Sequence, residues 1–329
     1  MPWVFGRKAA IQADTTVNKL QSKTPVTTPV GLLEFVGTST QEVNEIIENK
    51  ANYYISYSLA KHGKTNKRRF INAPQGRLKE IQTSILHKVL YRFRVSQIAH
   101  GFVKHRSPKT NALPHLGAQT LVKMDLTDFF GSLKTPLVVS LLTTLISKIP
   151  EIKEDPTGSS IELLAELLTF RGQIPQGAPS SPAVTNLIMN GVDRRLKDYA
   201  DHLKLSVTRY ADDITFSSKE KLDPKAIREV TKFVTALCKN SVGVKVNKKK
   251  TKVKRQSSRM SVTGVVVNEK ANIPNHTYRE LRARVHNYVN GTATLDEKEL
   301  QSLRGQLEWL RSVNPDKGQK LIEKLGSKK

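Results

Sequence analysis

An α+β fold is predicted for this chain, on three observations. Apolar residues recur at helical spacing through most of its length, short alternating stretches of strand character fall in the middle third, and only helical periodicity remains near the end. The 329 residues suffice for a sizeable core divided among lobes.

The elements follow in order. The first 35 residues mix Thr, Pro, Gly and Lys without sustained period and read as an extension that orders on a partner or on the body. "TQEVNEIIENK" puts Val43, Ile46 and Ile47 on one helical face, and "LKEIQTSILHKVLYRF" does the same with Leu78, Ile81, Ile85, Val89 and Phe93. Between them, "KHGKTNKRRFINAP" reads as a basic, Gly-containing turn before a short strand. "LVKMDL" (121–126) alternates as a strand that reaches Asp125. Helices are expected from Pro136 and over 161–170, and the loop "IPQGAPSSPA" leads into the helix "AVTNLIMNGVDRRLKDYADHL". "LSVTRY" and "ITFSS" read as two strands that meet at Ala211, Asp212 and Asp213. A helix over 226–238 and a strand pair from "VKVNKKKTKVK" and "SVTGVVVN" complete this layer. From Pro274, Tyr278, Leu281, Val285 and Val289 mark one helix, and Leu300, Leu303, Leu307 and Leu310 another. No internal repeat is present.

The net charge is +25, and the chain from residue 219 carries 26 basic against 11 acidic residues. A positive field of this size seeks polyanions, and nucleic acid is the expected partner. The single cysteine, Cys238, excludes an internal disulfide and a cysteine-based zinc site, and fits a reducing compartment. "MPWVFGRKAAIQADTT" has no long apolar run and "LVVSLLTTLI" is too short to span a bilayer, so a cytoplasmic protein without a membrane partner is expected.

Three carboxylates carry the chemistry. Asp212 and Asp213 alone would make a solvated turn, and Asp125 alone a helix cap. Together they supply oxygen ligands for a hard cation such as Mg²⁺, which takes carboxylates along with substrate phosphates. In a basic protein, this set points to two-metal phosphoryl transfer, with Mn²⁺ as a substitute ion.

Around these carboxylates, "RRFINAP", "NALPH", "DLTDFF", "PQGAPSSP", "YADD" and "VTG" follow one another in an order that resembles the reverse transcriptase family, and within it the bacterial retron enzymes. "YADD" (210–213) resembles the family's catalytic hairpin and "DLTDFF" (125–130) its first metal motif. "PQGAPSSP" (175–182) is similar to the loop that meets template and nucleotide, and "RRFINAP" (68–74) to the fingers motif that holds the triphosphate. "NALPH" (111–115) fits the retron N-A-x-x-H pattern, and "VTG" (262–264) the triplet that follows the palm.

The resemblance implies a right-hand polymerase: fingers over 36–120 with part of 133–175, palm over 121–132 and 176–272, and a helical, RNA-binding thumb over 273–329. It implies that Asp125, Asp212, Asp213 and the Leu126 carbonyl hold two Mg²⁺ ions. Phe130 corresponds to the aromatic gate that excludes a ribose 2′-OH. Arg68 or Arg69 pairs with the triphosphate, Gln176 and Gly177 line the nucleotide pocket, and Lys250 is the best match for the lysine near the leaving pyrophosphate, with Lys248 and Lys249 open alternatives. Asn111, His115, Val262, Thr263 and Gly264 belong to the motifs expected to meet RNA or DNA.

In the helical lobe, the spacing of Arg279, Arg282 and Arg284, then Arg304 and Arg311, suits a phosphate backbone. Tyr278 and Tyr288 read as core residues before base-stacking ones. The resemblance further implies dNTP substrates, a cognate structured RNA (msr-msd) as template, and a branched 2′-5′ RNA–DNA product (msDNA) with its RNA–DNA heteroduplex. It also implies service in anti-phage defence beside an effector or toxin protein. A group II intron or diversity-generating reverse transcriptase is the nearest alternative, disfavoured by the paired N-A-x-x-H and VTG patterns and by the little room left after the thumb. A non-catalytic RNA-binding scaffold and an RNA-dependent RNA polymerase are the other two.

Overall fold

A computed structural model describes residues 30–60, 68–153 and 158–327. The basic turn expected at 61–67 and most of the expected N-terminal extension lie outside the described residues. Two short helices come first, α1 (Leu32–Val36) and α2 (Thr40–Glu48), the latter capped by the Ser39 hydroxyl accepting from Glu42 N–H. Leu32, Leu33 and Val36 are buried in the main core, so the stretch read as an extension to residue 35 is part of the fold from Val30 onward.

An antiparallel hairpin of two seven-residue strands follows, β1 (Tyr54–Ala60) and β2 (Arg68–Pro74), and then α3 (Gly76–Lys88). The expected long helix through Phe93 breaks at Val89 into a 3₁₀ turn over Leu90–Arg92. Helix α4 (Pro108–Ala112) carries a Ser107–Thr110 capping box and runs into a 3₁₀ turn, Leu113–His115. Strand β3 (Thr120–Asp125) leads to α5 (Phe129–Ser132), α6 (Thr135–Ile146) and α7 (Ser159–Leu168). The long α8 (Ser181–His202) precedes β4 (Ser206–Tyr210) and β5 (Asp213–Ser218), then α9 (Pro224–Val242) ending on left-handed Gly243.

The central sheet is antiparallel, in the order β4-β5-β3-β6, where β6 is Lys252–Arg255. Here one expectation is corrected. "VKVNKKKTKVK" does not pair with "SVTGVVVN": β6 joins β3, and Ser261–Val262 (β7) pairs with Val265–Val266 (β8) in a hairpin of its own. Lys248–Lys250 turns as a 3₁₀ helix, and the extended residues that follow it are taken up by pairing with β3. Three helices end the chain: α10 (Asn275–Val289), α11 (Glu297–Val313) and α12 (Pro315–Gly326), the last not foreseen.

Two cores result. One runs from α1–α3 through α6–α9 to the inner face of the sheet, around Met124, Leu187, Ile214 and Phe216. The other joins the three C-terminal helices, through Leu281, Leu303, Leu307 and Leu321, to β7, β8 and the far side of the sheet at Leu121 and Ala118. Ala112 of "NALPH" and Val262 of "VTG" both sit in this second core. The arrangement is a right hand, with a fingers hairpin, a palm sheet and a helical thumb. No helix among the described residues is long and apolar enough to cross a membrane.

Candidate active site

The three carboxylates come from the ends of paired strands. Asp125 closes β3 directly opposite Asp213, which opens β5, and Asp212 is the second residue of the two-residue turn between Tyr210 and Asp213. Leu126 N–H donates to the Asp212 carbonyl at 2.9 Å and ties the turn to the strand end. Hairpins this tight need a positive φ, normally supplied by glycine. Here Ala211 supplies it at φ 54°.

The surroundings force that conformation. The Arg209 guanidinium lies fully buried under the turn, with Nε and Nη2 each 2.7 Å from an oxygen of the equally buried Asp193. Its Nη1 donates to the Ala211 carbonyl and to Asn186 Oδ1, both at 3.1 Å. Asn186 Nδ2 donates in turn to the Gly101 carbonyl at 2.9 Å. From the other side, Ile98 and His100 flank the edge of β4 through two 2.7 Å bonds with the Arg209 backbone, and Gly101 comes so close that a Cβ there would lie 2.6 Å from Ala211 N. Sequence reading missed Arg209, Asp193, Asn186 and Gly101. An aspartate on the buried face of α8 was the one available signal, since buried carboxylates require a partner.

Negative charge is concentrated at the turn. Burial pushes the Asp212 and Asp213 carboxyls above their usual range, reinforced for Asp213 by Asp212 and for Asp212 by Asp125. Among the described residues no three His, Cys, Asp or Glu side chains already converge at metal spacing. The donor chemistry nonetheless suits a hard cation: half-buried carboxylates crowd together, and Lys250 rests its ammonium 2.8 Å from each Asp125 oxygen, a cation drawn to the concentrated charge. Asn247 fixes this approach, its N–H donating to the Asp125 carbonyl at 2.7 Å while its own carbonyl accepts from Lys250 N–H. Of the three lysines, Lys250 is the one bonded to the carboxylates.

The fingers hairpin separates the two arginines. Directly opposed residues of an antiparallel pair share a face. Arg69 therefore shares a face with Leu59, Tyr57 and Ile71, and Ile71 packs on Gly177, where a Cβ would fall 2.7 Å from its Cγ2. Asn72 N–H donates to the Gln176 carbonyl at 2.8 Å and holds hairpin and loop together. The Arg69 charge reaches Asp212, pulling its carboxyl down against the effect of burial. Arg68 is on the other face, its Nε 2.8 Å from the Ser58 hydroxyl. Phe130 is half-buried, its ring 5.6 Å from that of buried Phe129 and 6.3 Å from that of exposed Phe102.

Other site residues lie elsewhere. Asn111, His115 and Val262, read as RNA or DNA contacts, are buried. His115 Nδ1 is 2.7 Å from Ser217 Oγ and its Nε2 2.8 Å from Thr208 Oγ1, while Asn111 Nδ2 donates to Thr263 Oγ1 at 3.3 Å. The reading is corrected for these three: the polar atoms that bond do so with protein partners, and the two motifs join each other across the seam between sheet and thumb. Thr263 is half-buried and Gly264 exposed in the β7–β8 turn. Arg279 and Arg282 are exposed on α10, whereas Arg284 turns to α11 and donates to Gln306. Tyr278 packs against the thumb core under the Lys317 ammonium.

The family described as reverse transcriptase (RNA-dependent DNA polymerase) matches residues 59–267. The chain is 34% identical to the retron Mx162 reverse transcriptase of Myxococcus xanthus, over 84% of this chain and 61% of that protein. It is 33% identical to the retron Ec86 reverse transcriptase of Escherichia coli, over 82% and 79% respectively. A third relative, the retron Mx65 reverse transcriptase of Myxococcus xanthus, is 31% identical over 84% of this chain and 65% of that protein. The chain thus spans less than two thirds of the length of two of these relatives. Among solved structures, apo telomerase from Candida Tropicalis overlaps 88% of this chain and 63% of its own at 10% identity and a TM-score of 0.48. With the family model matched over more than half of its length and these relatives over most of it, this chain belongs to the reverse transcriptase family, among the retron reverse transcriptases.

Proposed function

We propose that this chain is the RNA-directed DNA polymerase of a retron. The observation that carries the reading is the pairing of Asp125 with Asp213 at adjoining strand ends, with Asp212 in the turn between β4 and β5. Asp125, Asp212, Asp213 and the Leu126 carbonyl would hold two Mg²⁺ ions, with Mn²⁺ as a substitute. When bound, these ions activate the attacking hydroxyl and neutralise charge on the phosphates. Arg69 grips the triphosphate, the Gln176–Gly177 loop walls the base and sugar, and Phe130 fills the space of a 2′-OH. Lys250, released from Asp125, turns its ammonium to the departing pyrophosphate. Fingers (36–120 with part of 133–175), palm (121–132 and 176–272) and thumb (273–329) divide this work, with Arg279 and Arg282 on the RNA.

The substrates are dNTPs, and the template is a cognate structured msr-msd RNA in the bacterial cytoplasm. The first hydroxyl is the 2′-OH of a guanosine in that RNA, the product is branched msDNA, and the setting is anti-phage defence beside an effector protein. The test is to express the chain with its flanking genomic DNA, treat the co-purified nucleic acid with RNase, and sequence what remains. A short, discrete single-stranded DNA joined to RNA is expected, and Asp213→Asn should abolish it while leaving RNA binding intact. If Asp213→Asn still yields the DNA, the polymerase reading fails.

A further inference from the structure

Phe102 is an exposed aromatic held in an unusual place. The residue is 57% exposed, and its backbone sits in the left-handed region at φ 61°, which a bulky side chain rarely adopts. The segment before it is firmly fixed. His100 and Ile98 are bonded to the edge of β4, and the Gly101 carbonyl accepts from Asn186 while its Cα abuts Ala211. The chain is thus pinned against the catalytic turn and then bent to present a phenyl ring to solvent. Core packing does not explain such a ring. Its aromatic neighbour does: Phe102 meets Phe130 at 6.3 Å with the planes 68° apart, and Phe130 meets Phe129 at 5.6 Å and 66°.

Three rings therefore form a row, with Phe129 buried, Phe130 half-buried and Phe102 exposed. Phe129 and Phe102 each meet the Phe130 ring edge to face. We propose that Phe102 is a positioning residue for sugar selection: it holds the Phe130 ring upright, so that the gate rejects a ribose 2′-OH. This rests on the reading of Phe130 as that gate. A half-buried ring with one such contact is freer to tilt about its χ torsions and leave room for a hydroxyl than a ring restrained by two. Contacts of this geometry shift an equilibrium by about twofold to tenfold, so the effect on selectivity is of that order.

The experiment measures single-nucleotide incorporation of a dNTP and the matching rNTP on an RNA template. It uses the full chain, Phe130→Ala, Phe102→Ala, Phe102→Leu and the Phe130→Ala/Phe102→Ala double variant. Phe130→Ala should relax dNTP-over-rNTP selectivity strongly. Phe102→Ala should relax it about fivefold, chiefly through a lower KM for the rNTP, and Phe102→Leu less. In the Phe130→Ala background, Phe102→Ala should change selectivity no further, because its effect passes through that ring. If Phe130→Ala relaxes selectivity but Phe102→Ala does not, or if the two effects multiply, the role of Phe102 is overturned and the gate stands. Slower incorporation of both nucleotides by Phe102→Ala, at an unchanged ratio, also overturns it. Unchanged selectivity in Phe130→Ala overturns the gate, and the inference with it.

Discussion

Two β-hairpins contribute to the candidate active site, and they are built in opposite ways. The palm hairpin β4–β5 has buried strands, a two-residue turn, and a fully buried ion pair bonded to that turn. The fingers hairpin β1–β2 is exposed along most of both strands, with Phe70 73% exposed, and among the described residues it meets the palm loop through the backbone bond from Asn72 to Gln176 and the packing of Ile71 on Gly177. Under the proposed function, the difference follows from what each would have to do. Carboxylates that share a cation need positions fixed to fractions of an ångström. A basic arm that admits and releases a nucleotide draws on the less stable end of the structure, where few apolar contacts hold it.

The largest expected effect breaks the rigid half of this comparison. Asp193→Ala leaves the Arg209 guanidinium buried without its counter-charge, and a loss of about 3–5 kcal/mol of stability is expected, read from urea unfolding. The paired replacement Asp193→Leu/Arg209→Met removes both charges and should recover most of that stability. It should not recover DNA synthesis, because Ala211 still lacks the donor that holds its strained turn. If the double variant polymerises normally, the ion pair serves stability alone and the palm hairpin needs no brace.

How much of this was legible in the sequence depended on distance along the chain. Asp212 and Asp213 adjoin, "DLTDFF" and "PQGAPSSP" are contiguous, and helical periodicity survives any packing, so the candidate carboxylates and most elements could be read off directly. Arg209 reads as one basic residue in a strand, and its meaning lies in Asp193, Asn186 and a turn that Gly101 approaches from far upstream. The Arg68/Arg69 choice is likewise a matter of register, since only the pairing of β1 with β2 shows that the two arginines lie on opposite faces. The N-A-x-x-H and VTG patterns were noticed, but direct contact with RNA was the wrong expectation for Asn111, His115 and Val262. A motif says that side chains matter, whereas burial says to whom.

An intermediate effect is expected at the seam behind the palm hairpin. Burial first, and then the nearby His100, Lys123 and Lys219 charges, hold His115 down to about 3, so it is neutral in the folded protein at neutral pH. A folded value below the unfolded one means that the unfolded chain binds the extra proton. This contribution is fully present above the unfolded value of about 6.5, and is lost as pH falls toward the folded one. On the order of a few kcal/mol should disappear between pH 7 and pH 4, seen as a falling urea midpoint. His100, lowered to about 4 mainly by burial, adds to the same slope. His115→Gln should start less stable at pH 7, since it disturbs the bonds to Ser217 and Thr208, but lose less on acidification. Parallel pH curves for the two proteins would remove His115 from the account.

The smallest effect tests the exposed half. Arg69 and Arg68 are adjacent, exposed and chemically identical, so composition gives no reason to distinguish them. Their faces do: Arg69 lies on the side that packs toward Gly177 and its charge is felt at Asp212, whereas Arg68 bonds a serine hydroxyl on the opposite side. A guanidinium on a phosphate contributes about 1.5–3 kcal/mol as a charge-assisted bond. Arg69→Ala should therefore raise the dNTP KM about tenfold or more, with a smaller change in kcat, while Arg68→Ala should leave both within about twofold, as expected of an exposed side chain with one hydroxyl partner. Neither substitution should move the unfolding midpoint, because neither residue is in a core. If Arg68→Ala carries the KM effect instead, the hairpin presents its other face to the nucleotide.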